Sequence, residues 1–405
     1  MATSLRRQPG VSPSAEGKHH VKKVRKKFSL FSIRAGVDMP FLILVLTLLA
    51  IGLIMLFSAS FAYSLQNFGN SYYFIRSQAI FAVLGTVIML VISYFDYHHL
   101  HKFAYPIMIV VLLMLAAVKL FADTPIAPIR GGANRWLNLG FIEFQPSEIA
   151  KFSIILIFAH LMSINYRRMD TFRYGVAPYA IILGLFAGLV IIEKHVSGTL
   201  IISAVAMMMM FVGGTKLRYF AILGGIGGAA VAYLVFFSSK FSYALLRIQG
   251  WLNPFNPPEG VDTWQTVQSL YAIGSGQLFG VGLGQSRQKY LWLPEPQNDF
   301  IFAIVCEELG FIGALVIILL FSALIWRGVV IALAAKDRFG MFLGIGIAMQ
   351  VGLQVVLNIM VVTNTIPNTG ISLPFFSSGG TSLVILLAEM GVLLSISRTS
   401  HIEKT

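Results

Sequence analysis

Ten apolar runs, each close to the ~20 residues that cross a bilayer as a helix, punctuate the chain. They lie at about 39–62, 72–94, 101–121, 148–164, 175–193, 198–214, 218–238, 299–326, 340–363 and 379–397. The fourth to sixth are separated by short breaks, with Lys151 and Glu193 at their ends. Residues 239–298 form the longest polar interval, rich in Gly and Pro, and lead straight into the eighth run. The pattern predicts an all-α polytopic membrane protein with about ten transmembrane helices and a large loop between the seventh and eighth. A helix apolar all round hides its inward face, so the pattern orders the helices without packing them.

Composition points the same way. Of 405 residues, 57% are hydrophobic and 12% charged, against roughly 25% charged in soluble domains. Too few polar residues remain to cover a soluble core. The single cysteine, Cys306, lies in an apolar run, which excludes a disulfide framework. Met207–Met210 reads as packing rather than a metal relay.

Charge sets the orientation. Residues 1–36 hold nine Lys and Arg against one acid, Glu16, out of a net charge of +13. This is expected to be a disordered cytoplasmic tail held near anionic lipid, not a nucleic-acid arm, and not a cleaved signal peptide. Arg167, Arg168, Arg173, Lys216, Arg327, Lys336, Arg338 and Arg398 fall in alternate loops, whereas loops 63–71 and 364–378 carry no Lys or Arg. The positive-inside bias puts both termini in the cytoplasm and loop 239–298 outside. Residues 37–398 form one transmembrane domain, and 399–405 a second short tail. The outside cations Lys240, Arg247, Arg287 and Lys289 then need a reason.

Several motifs bear on chemistry. Arg135 and Trp136 place a cation beside a ring suited to the interface. Pro146, Ser147 and Glu148 open a helix. Lys151 follows one turn inside; it either snorkels or marks a site. Glu193, Lys194 and His195 form a turn between two helices, with a proton relay as the alternative reading. Beyond Pro254, Pro257 and Pro258, the large loop offers Glu259, Asp262 and Gln268. Gly274, Gly276, Gly280, Gly282 and Gly284 then imply a backbone that bends sharply or closely approaches a ligand. Arg287 and Lys289 follow at once. Acids, glycines and cations at one membrane face suit a pyrophosphate substrate with a hydroxyl to be deprotonated. Asp299 opens the eighth helix, and Glu307 and Glu308 lie two turns deep, at least one facing inward. Gln354 and Asn358 share a face of the ninth helix and point toward residues 366–382. That Pro/Gly-rich loop is either re-entrant or surface-hugging.

The motifs GLIMLFSAS (52–60), GGANRWLNLGFIEFQPSEIAK (131–151), VQSLYAIGSGQLFGVGLGQS (267–286), LPEPQNDFIFAIVCEELG (293–310) and PNTGISLPFFSSGG (367–380) occur in that order. On these the chain resembles the SEDS (shape, elongation, division and sporulation) family, the FtsW/RodA/SpoVE type, over about residues 39–398. The resemblance implies a ten-helix, inverting peptidoglycan glycosyltransferase of the bacterial cytoplasmic membrane. Such proteins polymerise lipid II into glycan at the outer face for division, elongation or sporulation. It also implies a class B penicillin-binding protein and other cell-wall synthesis proteins as partners, no nucleic acid, and a divalent cation, Mg or Mn. The candidate substrate-binding set, from the motifs above, is Arg135, Lys151, Arg247, Gln268, Arg287, Lys289, Asp299, Gln354, Asn358 and Ser377. Two departures stand out. Family members usually carry a catalytic Asp before a Pro in the large loop, where ungapped alignment here gives proline. The nearest carboxylates make Asp262 the first candidate and Glu259 the second. Thr369 stands where many relatives have Lys. A lipid II flippase and a non-catalytic scaffold for the transpeptidase are the alternative functions.

Overall fold

A computed structural model of the chain describes residues 36–130, 133–140, 143–237 and 242–399. The basic tail falls outside the described residues. Thirteen α-helices follow in order: α1 Met39–Phe68, α2 Tyr73–Tyr94, α3 His98–Leu120, α4 Pro146–Asn165, α5 Phe172–Gly175, α6 Ala177–Ile192, α7 Val196–Val212, α8 Leu217–Phe237, α9 Ser242–Leu252, α10 Trp264–Gly276, α11 Ile301–Leu333, α12 Arg338–Val362 and α13 Gly380–Thr399. Eight spans are long and apolar enough to cross a membrane, and Val196–Val212 and Leu217–Ala229 are shorter apolar helices. Together they account for the ten apolar runs. Two small antiparallel hairpins lie between α3 and α4, pairing Ile129–Arg130 with Ala133–Asn134 and Leu137–Asn138 with Glu143–Phe144.

Local chemistry explains where helices start and stop. The Asp38 Oδ1 accepts from the Phe41 amide at 3.0 Å, capping α1, and its carboxylate also takes the Arg327 guanidinium at 2.7 Å. The start of α1 is thereby tied to the far half of α11. Gly69 adopts the left-handed conformation that closes α1. Asp337 caps α12 through the Gly340 amide at 3.1 Å.

The bundle is built around α4, α12 and α13, whose spans are 67%, 61% and 67% buried, whereas α2 and α3 are only 22% buried. That contrast separates central helices from those facing lipid. Of the methionine run, Met209 and Met210 are buried, and the Met209 side chain packs beside Gly346 of α12. Met here fills packing space, as expected.

Two features depart from the sequence pattern. The large loop is not irregular throughout, because α9 and α10 form within it. On α10, Thr266, Gln268, Ser269, Ala272 and Gly276 are buried, a stripe of small and polar residues that gives no apolar signal. The eighth run, moreover, is not one continuous helix. Gly310 (φ 68°, ψ −171°) interrupts α11. Residues 277–282 pair with the break: Val281 and Gly282 amides donate to the Glu307 and Glu308 carbonyls at 2.9 and 3.0 Å, and Phe311 and Ile312 amides donate to the Gln277 and Leu278 carbonyls at 2.8 and 3.1 Å. Four backbone groups at the break are thus re-paired, as non-helical backbone at membrane depth requires. Gly276 and Gly280 of the series serve this contact. A Cβ on Gly276 or Gly280 would collide with the Cys306 or Glu308 carbonyl oxygen. The close approach expected of these glycines is to α11.

Candidate functional site

Residues 363–379, between α12 and α13, are non-helical, yet Ile371, Leu373, Phe375 and Phe376 are buried. The loop enters the bundle rather than lying on it. A Cβ on Gly52 of α1 would strike the Phe375 carbonyl oxygen, so Gly52 makes room for the loop. Side chains of α12, of α2 and of the loop itself satisfy its backbone. Asn358 Nδ2 donates to the carbonyls of Ile371 and Asp299 at 2.6 and 2.7 Å. Ser377 Oγ accepts from the Leu373 amide at 2.8 Å and donates to the Asn298 carbonyl at 2.8 Å. Gln78 of α2 donates to the Ser377 carbonyl at 3.2 Å and accepts from the Gly379 amide at 3.1 Å. Asn358 and Ser377, candidates for substrate contact, thus shape the loop through these bonds.

This loop divides two polar spaces. On its outer side a pocket of about 220 Å³ is lined by Arg247, Gly250, Trp251, Asp262, Thr263, Gln265, Thr266, Asn364 and Asn368. Arg247 and Trp251 of α9 bind the loop through the Asn368 and Asn364 carbonyls at 2.9 and 3.0 Å. Asp262 is exposed, and its Oδ1 accepts from the Trp264 amide at 2.9 Å, which holds the carboxylate at the start of α10 and on the pocket wall. Glu259 is exposed on the preceding turn and lies outside that lining.

On its inner side a cavity of about 40 Å³ is lined by Glu148, Lys151, Gln350, Gln354, residues of the loop including Ser377, and Glu389. Lys151 pairs with Glu148 at 2.9 Å, and Gln350 Nε2 donates to Glu389 at 2.8 Å. Lys151 is 4% exposed, so it faces this cavity and does not snorkel. Glu389 is a functional candidate that the sequence reading omitted. Its signal was a single carboxylate inside an otherwise uncharged apolar run, which is costly without a role.

The remaining candidates are dispersed. Arg135 donates to the Lys194 carbonyl at 2.6 Å and faces Glu193, which is buried and pushed up to about 8 by loss of solvent. His195 Nδ1 meets Ser147 Oγ at 3.1 Å and Gln145 Nε2 at 3.2 Å; the turn of residues 193–195 thus docks on the start of α4. Gln268 is buried on α10. Arg287 is exposed, and its amide donates to Glu307 Oε1 at 2.9 Å. Lys289 is 2% exposed. Its ammonium meets Glu308 at 2.9 Å, Ser58 Oγ at 3.1 Å and the Gly284 carbonyl at 2.6 Å. Lys289 is thus an internal cation of the fold, not one turned toward a pyrophosphate. At least one of Glu307 and Glu308 is expected to face inward; both do, each 1% exposed.

Among the described residues no group of three or more His, Cys, Asp or Glu side chains could hold a metal ion. The donor set among the described residues therefore does not fit a metal held by protein ligands alone.

Asp299 sits beside the same loop, its Oδ2 close to Gly370. Burial, then the Glu295 charge, raises it to about 6 against the opposing pull of Arg135 and Arg247. A carboxyl raised on folding binds its proton more tightly in the native state, so stability falls as pH climbs from about 4 to about 6. Asp299→Asn should flatten thermal stability across that window, measured as Tm in detergent; an unchanged slope would remove Asp299 as its source.

The comparisons with known proteins agree with this architecture. A family model described as "Cell cycle protein" (FtsW/RodA/SpoVE) matches residues 39–402. Stage V sporulation protein E of Bacillus subtilis (strain 168) is 41% identical over 90% of this chain and 98% of its own. The probable peptidoglycan glycosyltransferase FtsW of Trichlorobacter lovleyi is 39% identical over 92% of this chain and 95% of its own. Among solved structures, the rod shape determining protein RodA of Thermus thermophilus superposes with a TM-score of 0.65 at 26% identity, covering 91% of this chain and 98% of that one. A chain from a peptidoglycan synthase complex reaches a TM-score of 0.71 at 24% identity, covering 91% and 99%. With a family model spanning nearly the whole membrane domain and relatives matched end to end, the chain belongs to the FtsW/RodA/SpoVE family.

Proposed function

We propose that this protein is a peptidoglycan glycosyltransferase that polymerises lipid II at the outer face of the bacterial cytoplasmic membrane. The carrying observation is that a carboxylate and a guanidinium, Asp262 and Arg247, line one pocket walled by the buried loop. Relatives named as peptidoglycan glycosyltransferases at 36–39% identity support the reaction class. Asp262 takes the proton from the 4-hydroxyl of the acceptor sugar. That oxygen forms a bond to the anomeric carbon of the donor chain, the bond to undecaprenyl pyrophosphate breaks, and the configuration inverts. Arg247 offsets the charge growing on the leaving pyrophosphate. It also donates to the Asn368 carbonyl of the loop at 2.9 Å, which holds the guanidinium at the pocket wall.

A flippase would need a polar path through both halves of the bilayer. Past Lys151, Gln350 and Glu389, the central helices present buried Ile155, Ile347 and Leu393, which favours polymerisation over transport. The partner is a class B penicillin-binding protein; the likeness to a chain of a synthase complex that coordinates polymerisation with crosslinking supports this. The test is glycan formation from purified lipid II, with and without that partner. Polymer is expected with the partner present. No polymer under either condition, with divalent cation added, would transfer support to the scaffold reading; translocation of lipid II in proteoliposomes without polymer would support the flippase.

A further inference from the structure

At the end of the bundle opposite the loop, where α1 begins and α13 ends, a cleft of about 430 Å³ opens between α3, α4 and α12. Nothing in the reaction above uses it. Its walls bring together side chains from three elements: His98, His101 and Lys102 of α3, Ser163 of α4, and Asp337 and Arg338 at the start of α12. Two of these are permanent cations on different helices. The one acid is already engaged. Asp337 accepts the Tyr97 hydroxyl, lies 3.3 Å from His98 Nε2, and takes the Gly340 amide at 3.1 Å. The Arg338 guanidinium lies over the Tyr166 ring, 3.7 Å from its centroid. That contact uses the face of the guanidinium and leaves its N–H edge for an acceptor. His101 lies tilted against the His160 ring at 4.3 Å, and its Nδ1 is buried without a hydrogen-bond partner.

The cleft continues into an apolar track. His98, His101, Lys102 and Tyr105 are spaced i, i+3, i+4 and i+7 and so share one face of α3. Tyr105 packs edge-on against His160 of α4 at 5.2 Å and is 46% exposed; Ile109, one turn further, is 52% exposed. A polar cleft at the membrane boundary that runs into an exposed apolar stripe matches one ligand shape, a charged head with a hydrocarbon tail. We infer that this cleft binds the phosphodiester headgroup of an anionic phospholipid, with Lys102 and Arg338 on the phosphate and an acyl chain along Tyr105 and Ile109. A basic pocket between membrane helices has the right chemistry for such a headgroup.

A free phosphate ion would satisfy the cations but not the track, so the two sources separate by experiment. The full-length protein in a neutral detergent is titrated with phosphatidylglycerol, with phosphatidylcholine, and with inorganic phosphate. Lipid binding is read by native mass spectrometry, and Tm is followed in parallel. The wild type should bind phosphatidylglycerol in preference to phosphatidylcholine. Lys102→Gln/Arg338→Gln should weaken phosphatidylglycerol roughly 10- to 30-fold, about tenfold or less per surface cation, and leave phosphatidylcholine unchanged. Lys102→Arg/Arg338→Lys should retain the preference. Both positions are exposed, so the variants should fold, and their Tm without lipid checks this. No preference in the wild type, or equal phosphatidylglycerol binding by the Gln pair, would overturn the site. Inorganic phosphate displacing bound phosphatidylglycerol at similar concentration would overturn the lipid as its occupant.

Discussion

Asp262→Asn should abolish glycan polymerisation, lowering the rate by about 10²- to 10⁴-fold, the range a lost general base costs. The amide has nearly the shape of the carboxylate, and its oxygen can still accept from the Trp264 amide, the contact Asp262 makes at 2.9 Å. The start of α10 is therefore kept, and Tm should not move. That pairing of lost rate with unchanged unfolding separates a chemical role from a structural one. Glu259→Gln should polymerise at the wild-type rate, because Glu259 stands outside the pocket. Lipid II polymerisation in the purified complex with its transpeptidase partner reads both. Full activity of Asp262→Asn would sink the assignment, and loss confined to Glu259→Gln would move the base to the neighbouring turn. Pro257 and Pro258 stand where the family resemblance implies the carboxylate. The result therefore also decides whether the function has shifted along the loop or disappeared from it.

The membrane architecture was legible because hydrocarbon demands unbroken apolar runs of one length, and ten such runs stand in this sequence. The inward faces were not legible, for the same reason: a helix apolar on every side carries no moment to read. Glu389 shows the cost. Among apolar neighbours it looks like an isolated exception, and only the fold brings Gln350 and the loop around it. Asn358 shows the converse. The face it shares with Gln354 was readable from the i, i+4 spacing, but its amide serves two backbone carbonyls. A polar residue inside a membrane helix looks the same in sequence whether it meets a ligand or non-helical backbone. The glycine series had a similar ambiguity. Small residues at 276 and 280 meant close approach, and the partner proved to be the carbonyls at the break in α11.

Lys289 offers the sharpest test of that distinction. Its ammonium and the Glu308 carboxylate are 2.9 Å apart, with side chains 3% and 0% exposed. Ser58 Oγ donates to both Glu308 oxygens at 2.7 Å, and the Ser286 amide reaches one of them at 3.3 Å. Glu307 beside it collects the Ser286 hydroxyl and the amides of Arg287 and Gln288. Together these tie residues 284–289 and α1 to the segment of α11 just before its break. Removing one charge of a buried pair strands the other, at a cost of about 3–5 kcal/mol. Lys289→Met should therefore lower thermal stability in detergent sharply and reduce polymerisation only in step with lost fold. Glu308→Gln alone should also destabilise, by leaving the ammonium uncompensated. Combining the two removes both charges and should recover much of the loss, giving the large coupling energy expected of neighbours in one network. A cation that bound pyrophosphate would behave differently: Lys289→Met would then lower polymerisation while leaving Tm unchanged, and adding Glu308→Gln would rescue nothing. Because the two roles predict opposite outcomes for the same pair of variants, one unfolding series and one activity series decide whether this ammonium holds the broken helix together or meets the substrate.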